Sequence, residues 1–264
     1  MTLPSRANIQ DAKCILVVGA TAGIGRALAL AIHDLPSRPT VIVAGRRQER
    51  LDDLAKKSER IKTARVDLMS GRDAFAKFAN ELVATYPDLD AVILSSGVQH
   101  MFDFKQPEKV DLDLFEAEYT TNYVSIVTLI KFLLPHFLKL SEQGRPSFIV
   151  PITSGLGMLP GHWVPTYSAT KAALHSLSLS LQLQLKDTNV KVIEIAPPLT
   201  ESELHDHQGT TPKLSKFWLP LDKFTEETMA GLCRGDLHIC PGDTKEKWEK
   251  FEKGKLEMMA SNRT

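Results

Sequence analysis

The sequence predicts an α/β fold: a single Rossmann-like domain in which a doubly wound parallel sheet of about seven strands is flanked by helices. Three observations carry this expectation. Short runs rich in Val and Ile alternate with longer helical stretches along the chain, the pattern of a sheet buried on both faces. A Gly-rich turn follows the first run and leads into a helix. At 264 residues, with no internal repeat and no low-complexity linker, the chain suits one domain over 1–264 with a substantial core.

The elements follow in order. Apolar runs at 14–18, 41–44, 63–66, 91–94, 148–152, 190–196 and, more weakly, 237–240 read as buried strands. Helices are expected between them at 24–34, 48–57, 73–85, 111–138, 168–186 and 225–232. A charged surface helix at 245–259 is expected in a C-terminal segment and tail spanning 243–264. One stretch resists: from Leu177 to Leu185 leucine alternates with Ser or Gln, which is a strand period. It is still read as helix, because it has no β-branched residue and follows Ala172 and Ala173, and Leu and Gln are good helix formers. Such a helix is apolar on more than one face, which suits packing on the sheet and on a partner subunit.

Bulk properties narrow the class. Lysine plus arginine balance the acids, 32 against 32, so no basic face for nucleic acid is expected. Cys14, Cys233 and Cys240 lack Cys-x-x-Cys spacing and are an odd number, which argues against a disulfide framework and for a reducing compartment. Residues 1–13 are polar, and the longest apolar stretch, around 124–140, is interrupted by Lys131, Pro135 and His136. A soluble cytoplasmic protein without a membrane segment is the expectation.

Gly19, Gly23 and Gly25 form Gly-x-x-x-Gly-x-Gly between the first strand and its helix. Glycine permits the tight turn and a close backbone approach to a pyrophosphate, and the helix N-terminus offers free N–H groups to phosphate. Ligands of such sheets sit at the carboxyl ends of the strands, where the winding reverses. After the second strand, where an NAD site usually offers an acid to the ribose 2′-hydroxyl, the chain reads Gly45-Arg46-Arg47. Guanidinium groups suit the 2′-phosphate of NADP(H), although solvated charge beside Glu49 or Asp52 is also open. Asp67 could accept the adenine amino group or be a simple loop aspartate.

Tyr167 and Lys171 stand four residues apart, on one helix face, with Ser154 thirteen residues upstream. The lysine's charge, with that of an oxidised nicotinamide, favours the phenolate and brings the tyrosine pKa toward working pH, so Tyr167 is expected to act as general acid/base. Ser154 is expected to orient a substrate carbonyl and stabilise charge on its oxygen.

With Tyr167-Ser168-Ala169-Thr170-Lys171, these residues resemble the short-chain dehydrogenase/reductase family, in its short one-domain NADP(H)-dependent form, over about 13–242. The resemblance implies a cofactor turn through Gly19, Thr21, Ala22, Gly23, Ile24 and Gly25. It implies adenine contacts at Asp67 and Leu68, and a cofactor wall at Ser96 and Gly97. Asn122 is implied as the catalytic-helix asparagine, serving a proton relay through a water, and Lys171 as a holder of the nicotinamide ribose. The segment Pro197-Pro198-Leu199-Thr200-Glu201-Ser202 resembles the family's Pro-Gly segment over the nicotinamide, so Pro197, Thr200 and Ser202 are cofactor residues. Two departures stand out. Leu94-Ser95-Ser96-Gly97 replaces the family's Asn-Asn-Ala-Gly, and Pro198 replaces a glycine.

The implied activity is hydride transfer between NADP(H) and a small-molecule carbonyl or secondary alcohol. The implied assembly is a homodimer or homotetramer paired through the helices at 111–138 and 168–186. A silent NADP-binding sensor or scaffold would lack the Ser/Tyr/Lys set, and an isomerase or dehydratase would need a larger substrate domain. No metal site is expected, since His205 and His207 beside Asp206 lack a further spaced ligand pair. His175 reads as a packing or interface residue. His162 and Trp163 could line the substrate mouth or an ordinary loop. The segment at 201–223, with Leu204, Leu214, Phe217, Trp218 and Leu219, reads either as a substrate lid or as a surface loop with a satellite cluster.

Overall fold

The computed structural model describes residues 7–261. Its first half alternates strand and helix: β1 (Cys14–Val18), α1 (Gly23–His33), β2 (Thr40–Gly45), α2 (Gln48–Ala55), β3 (Ile61–Arg65), α3 (Arg72–Thr85) and β4 (Leu89–Leu94). Next come α4 (Leu112–Tyr119), a π-helical turn (Thr120–Val124), α5 (Ser125–Glu142), β5 (Ser147–Pro151), α6 (Gly155–Met158), α7 (Pro165–Gln184) and β6 (Val190–Val192). The chain closes with β7 (Glu194–Ile195), α8 (Thr211–Leu214), α9 (Leu221–Arg234), β8 (His238–Ile239), α10 (Thr244–Phe251) and α11 (Lys255–Ser261).

Six parallel strands lie in the order β3-β2-β1-β4-β5-β6. The order reverses between β1 and β4, which opens a crevice at their carboxyl ends. Alternate residues of β1 face opposite sides. Ile15 and Val17 pack with α1 residues Leu28 and Ile32 and with Phe224 of α9. Leu16 and Val18 pack with Phe75 of α3, Leu129, Leu133 and Phe137 of α5, and Leu174 of α7. Burial on both faces is why these strands read as unbroken apolar runs.

The expected strand at 190–196 changes partner midway. Ile193 N–H still donates to Ile149 O, but Glu194 N–H donates to Leu237 O and starts the β7–β8 pair. A bridge from Ile152 to Ile195 joins that pair to the larger sheet, giving six strands plus an extension rather than seven in one ladder. β3 begins two residues before the expected 63–66, because Ile61 already pairs with Val41. The expected helix at 111–138 is broken by the π turn and then runs on to Glu142. By length and apolar composition alone, the run Leu112–Glu142 (mean hydropathy 1.5) could cross a membrane. Here Ile126, Leu129, Leu133, Phe137 and Leu140 cover the sheet.

The stretch with alternating leucines is helical within α7, where Leu174 is buried and Leu177 and Leu181 pack against the same core. α9 is longer than the expected 225–232 and ends at Gly235, whose φ of +73 suits the left-handed stop. The expected surface helix at 245–259 is two helices, α10 and α11, separated near Gly254 at φ +87. Glu252, at that break, is buried rather than a surface charge. The tail at 262–264 lies outside the described residues.

Candidate active site

The turn between β1 and α1 is built so that only glycine fits. Gly19 has φ +86, and a Cβ there would lie 2.7 Å from Ser96 Oγ. A Cβ on Gly25 would collide with the Gly19 carbonyl oxygen. Ala22, at the N-cap of α1, has no capping side chain, so the first-turn amides stay available to an anion. Ser202 rests on this turn from the other side of the crevice, its Cβ 3.2 Å from where a Gly23 Cβ would stand. These features fit a dinucleotide.

One cavity of about 1190 Å³ joins the expected cofactor residues except Asn122, which does not line it. Its walls include Gly19, Thr21, Ala22, Gly23, Ile24 and Gly25 at the turn, Arg46 and Arg47 after β2, and Asp67 and Leu68 after β3. Ser96 and Gly97 after β4 and Pro197, Thr200 and Ser202 after β7 complete that wall, with Ser154, Tyr167 and Lys171 facing them. Asp67 accepts the Met69 N–H at 3.0 Å and stays exposed. Thr200 is buried and donates to Pro198 O at 3.1 Å.

The arginines are not equivalent. Arg46 is exposed and has no hydrogen-bond or ion-pair partner among the described residues. Arg47 donates to Thr21 Oγ1 through Nε (3.0 Å) and Nη2 (2.7 Å), and pairs with Glu203 at 2.9 Å. Arg50 pairs with the same carboxylate at 2.7 Å. Burial would raise the Glu203 pKa, but the bonds from Arg50 and Arg47 win and hold it below the usual carboxylate range. Sequence reasoning looked for an acid only after β2. The acid comes instead from the segment after β7, 156 residues beyond Arg47.

Ser154, Tyr167 and Lys171 are all buried and converge on one end of the cavity. Ser154 caps α6, its Oγ accepting the Leu156 N–H at 3.1 Å. Tyr167 and Lys171 lie one turn apart on α7, with Lys171 Nζ 5.6 Å from the phenol ring centre. Lys171 donates to Ile152 O at 2.8 Å. Burial drives its pKa down to about 8, against the opposing pull of Glu118. Burial also drives Tyr167 well above the usual phenol value, while its hydrogen bond with Ser154 acts the other way. Desolvation is the largest influence on this phenol, and the charge of Glu118 adds to it.

Asn122 is fully buried in the π turn, a helix defect common at functional positions. Its Oδ1 accepts the Val98 N–H and its Nδ2 donates to Val98 O, both at 2.8 Å, with a further bond to Thr170 Oγ1 at 3.2 Å. A Cβ on Gly97 would stand 3.4 Å from Asn122 Oδ1 and 3.7 Å from Lys171 Nζ, in ordinary contact with both, so Gly97 lies between these two groups.

The segment at 201–223 holds a 3-10 turn (Glu203–Gln208) and α8, and a bridge between Thr200 and Leu219 ties its ends. Leu204, Leu214, Phe217, Trp218 and Leu219 all line the cavity, as does Trp163, whereas His162 does not. Gln208 Nε2 reaches across to Gln99 O at 2.7 Å. His205 and His207 also face the cavity, and no group of three or more His, Cys, Asp or Glu among the described residues is arranged to hold a metal.

Behind Ser154 lies a buried charged cluster invisible to sequence reasoning. Thr153 Oγ1 donates to Glu194 Oε1 at 2.6 Å. His175 bridges Glu194 (2.8 Å) and Glu252 (2.9 Å), so it is neither a simple packing residue nor an exposed interface residue. His238 stacks on Trp248 with ring centres 4.0 Å apart.

Comparison with known proteins settles the lineage. The profile of the short chain dehydrogenase family matches residues 13–213. The chain belongs to that family. An uncharacterized oxidoreductase, DltE of Bacillus subtilis, is 34% identical over 228 residues, 85% of this chain and 86% of that one. The NADP-dependent 3-hydroxy acid dehydrogenase YdfG of Salmonella typhi is 31% identical over 217 residues, 81% of this chain and 84% of its own. The fold matches a short-chain dehydrogenase from Sphingobium yanoikuyae in complex with NADPH at a TM-score of 0.81 and 22% identity, covering 96% of each chain. The chain is therefore an oxidoreductase of this family, with the Rossmann-like fold that the resemblance implied.

Proposed function

We propose that the chain is an NADP(H)-dependent oxidoreductase interconverting a small-molecule carbonyl and its secondary alcohol, with Tyr167 as general acid/base. The observation that supports this most is the convergence of Ser154, Tyr167 and Lys171 on the cavity that also contains the glycine turn. The cofactor, when bound, supplies or accepts the hydride. The α1 amides and Arg46 would hold its phosphates, Asp67 and Leu68 would flank its adenine, and Pro197, Thr200 and Ser202 would cover its other end.

The remaining chemistry belongs to the protein. Ser154 orients the carbonyl oxygen and donates to the charge that grows there. Tyr167 supplies the proton to that oxygen in reduction and removes it in oxidation. Lys171 holds positive charge near the phenol, and Asn122 fixes the β4 loop against α7. Trp163 and Trp218 shape the substrate end and limit water.

We further propose a homodimer or homotetramer. Leu112, Leu114 and Val124 are 66%, 41% and 40% exposed on α4 and the turn before α5, an apolar surface that a partner subunit would cover. Cys14, Cys233 and Cys240 are free thiols, which suits a cytoplasmic location. A panel of carbonyls and alcohols, followed by NADPH absorbance with NADH in parallel, tests the activity. Turnover of several carbonyls with NADPH is expected. NADPH binding without turnover of any panel member would favour the silent sensor.

A further inference from the structure

Glu118 is fully buried on α4, four residues before Asn122. Its Oε2 accepts the His100 backbone N–H at 3.0 Å and lies 2.8 Å from His100 Nδ1. Its Oε1 is buried with no partner among the described residues. No lysine or arginine among the described residues lies within ion-pair distance of it. An ionised carboxylate in such a place is costly, and the cost disappears when it takes a proton. Burial accordingly pushes Glu118 up to about 8 and holds His100 below the ordinary histidine value.

Asn122, four residues after Glu118, donates from Nδ2 to Thr170 Oγ1 at 3.2 Å, beside Lys171, which ties this stretch of helix to the reacting groups. The charge of Glu118 raises the pKa of both Tyr167 and Lys171. The titratable groups facing it are His100, from the loop after β4, and Tyr167 and Lys171, from α7. Asp111, before α4, acts in turn on His100. His100 leads outward: its side chain is 18% exposed, and its ring meets that of His207 edge-on at 5.2 Å. His207 lines the cavity. The Tyr167–Lys171 pair thus has behind it an orphaned carboxyl oxygen, then an imidazole, then a route toward solvent.

We propose that Glu118 and His100 are positioning residues that store and resupply the proton consumed by the Tyr167–Lys171 pair, an assignment that rests on the function proposed above. In reduction Tyr167 gives its hydroxyl proton to the substrate oxygen, and the Lys171 ammonium restores the phenol. A water bonded to the unpartnered Oε1 carries the Glu118 proton to the lysine, which lies beyond ion-pair distance of the carboxyl group. His100 donates its Nδ1 proton to the carboxylate and regains one at Nε2 from water. One proton enters from solvent for each that leaves on the alcohol, and oxidation runs the chain backward.

The test compares the wild type with Glu118→Gln, which keeps the shape and an acceptor for His100 but cannot release a proton. The pH profile of kcat and its solvent deuterium isotope effect are measured alongside NADPH affinity. A fall in kcat of about tenfold or more, a changed profile near pH 8 and unchanged NADPH affinity are expected. His100→Gln should change the profile in the same direction and covers the case in which Glu118→Gln does not fold. A Glu118→Gln enzyme with wild-type profile and isotope effect overturns the proposal.

A second readout is independent of turnover. Infrared spectra of the wild type should show a protonated carboxyl band at pH 7 that is missing in Glu118→Gln. No such band would overturn the proposal. If the band is present but no carbonyl is reduced by the wild type, it is the proposed activity that fails.

Discussion

The Glu203 carboxylate pairs with Arg47 at 2.9 Å across the mouth of the cofactor crevice, joining the end of β2 to the segment after β7. Arg50 reinforces the contact at 2.7 Å. The segment at 201–223, which lines the cavity, is therefore fastened to the residues proposed to meet the cofactor's 2′-phosphate. In the proposed NADP(H) site, Glu203 would offset charge available to the phosphate.

Glu203→Gln should accordingly bind NADPH more tightly, while NADH affinity stays nearly constant. The pair is about half exposed, so an effect of only about two- to fivefold is expected. Fluorescence titration with both nucleotides measures it. Weaker NADPH binding in the variant would mean that the pair holds the crevice in its binding shape.

Arg46 is the unengaged guanidinium, and Arg46→Ala should weaken NADPH by about tenfold while sparing NADH, because only NADPH carries the phosphate. Equal weakening of both nucleotides would assign the arginine a structural role.

Tyr167→Phe keeps the ring that packs in α7 and removes the hydroxyl. Turnover should fall by about 10²–10⁴-fold with NADPH affinity unchanged. Steady-state rates and nucleotide titration on one preparation check both, and near-normal turnover would remove Tyr167 from the mechanism.

Stability should depend on pH through His175. Burial alone would lower its pKa, but the bonds to Glu194 and Glu252 outweigh burial and raise it. A histidine raised above its unfolded value of about 6.5 adds stability that is complete below that value and is lost as pH rises through the folded one. Burial opposes the charge on Glu194 too, yet His175 and its other partners hold it down to about 2, so its contribution fails only as pH falls toward 2. Thermal midpoints measured from about pH 6 to 9 should therefore decline in the wild type, and His175→Gln should flatten that slope. An unchanged slope would show that His175 stays neutral.

Trp218→Ala should alter substrate preference more than cofactor affinity, since Trp218 lines the cavity on the segment proposed to act as a lid. NADPH with substrate should protect residues 201–223 from limited proteolysis. Cleavage that ignores both ligands, with unchanged selectivity in the variant, would leave an ordinary loop.

Local chemistry explains what was legible in advance. Strands buried on both faces must be apolar throughout, so β1, β2 and β4 announced themselves as unbroken runs. The glycines of the β1–α1 turn were legible because no other residue tolerates that backbone and that contact with Ser96. Tyr167 and Lys171 showed through helical spacing, and their placement at the cavity with Ser154 followed once α7 formed. Boundaries were harder. Nothing in Val190–Ile195 marks where the strand changes partner, because the switch depends on which edge, β5 or β8, is nearer.

By itself, then, the sequence determined the doubly wound architecture, the glycine turn and the candidate trio Ser154, Tyr167 and Lys171, since each depends on local periodicity, backbone freedom or spacing along the chain. Only the tertiary structure decided the charges. Glu203 meets Arg47 across 156 positions, Glu252 meets His175 across 77, and Glu118 loses its water inside the fold. The strength of a charge depends on what surrounds it and how far water has been expelled, and both are settled by segments distant in the chain.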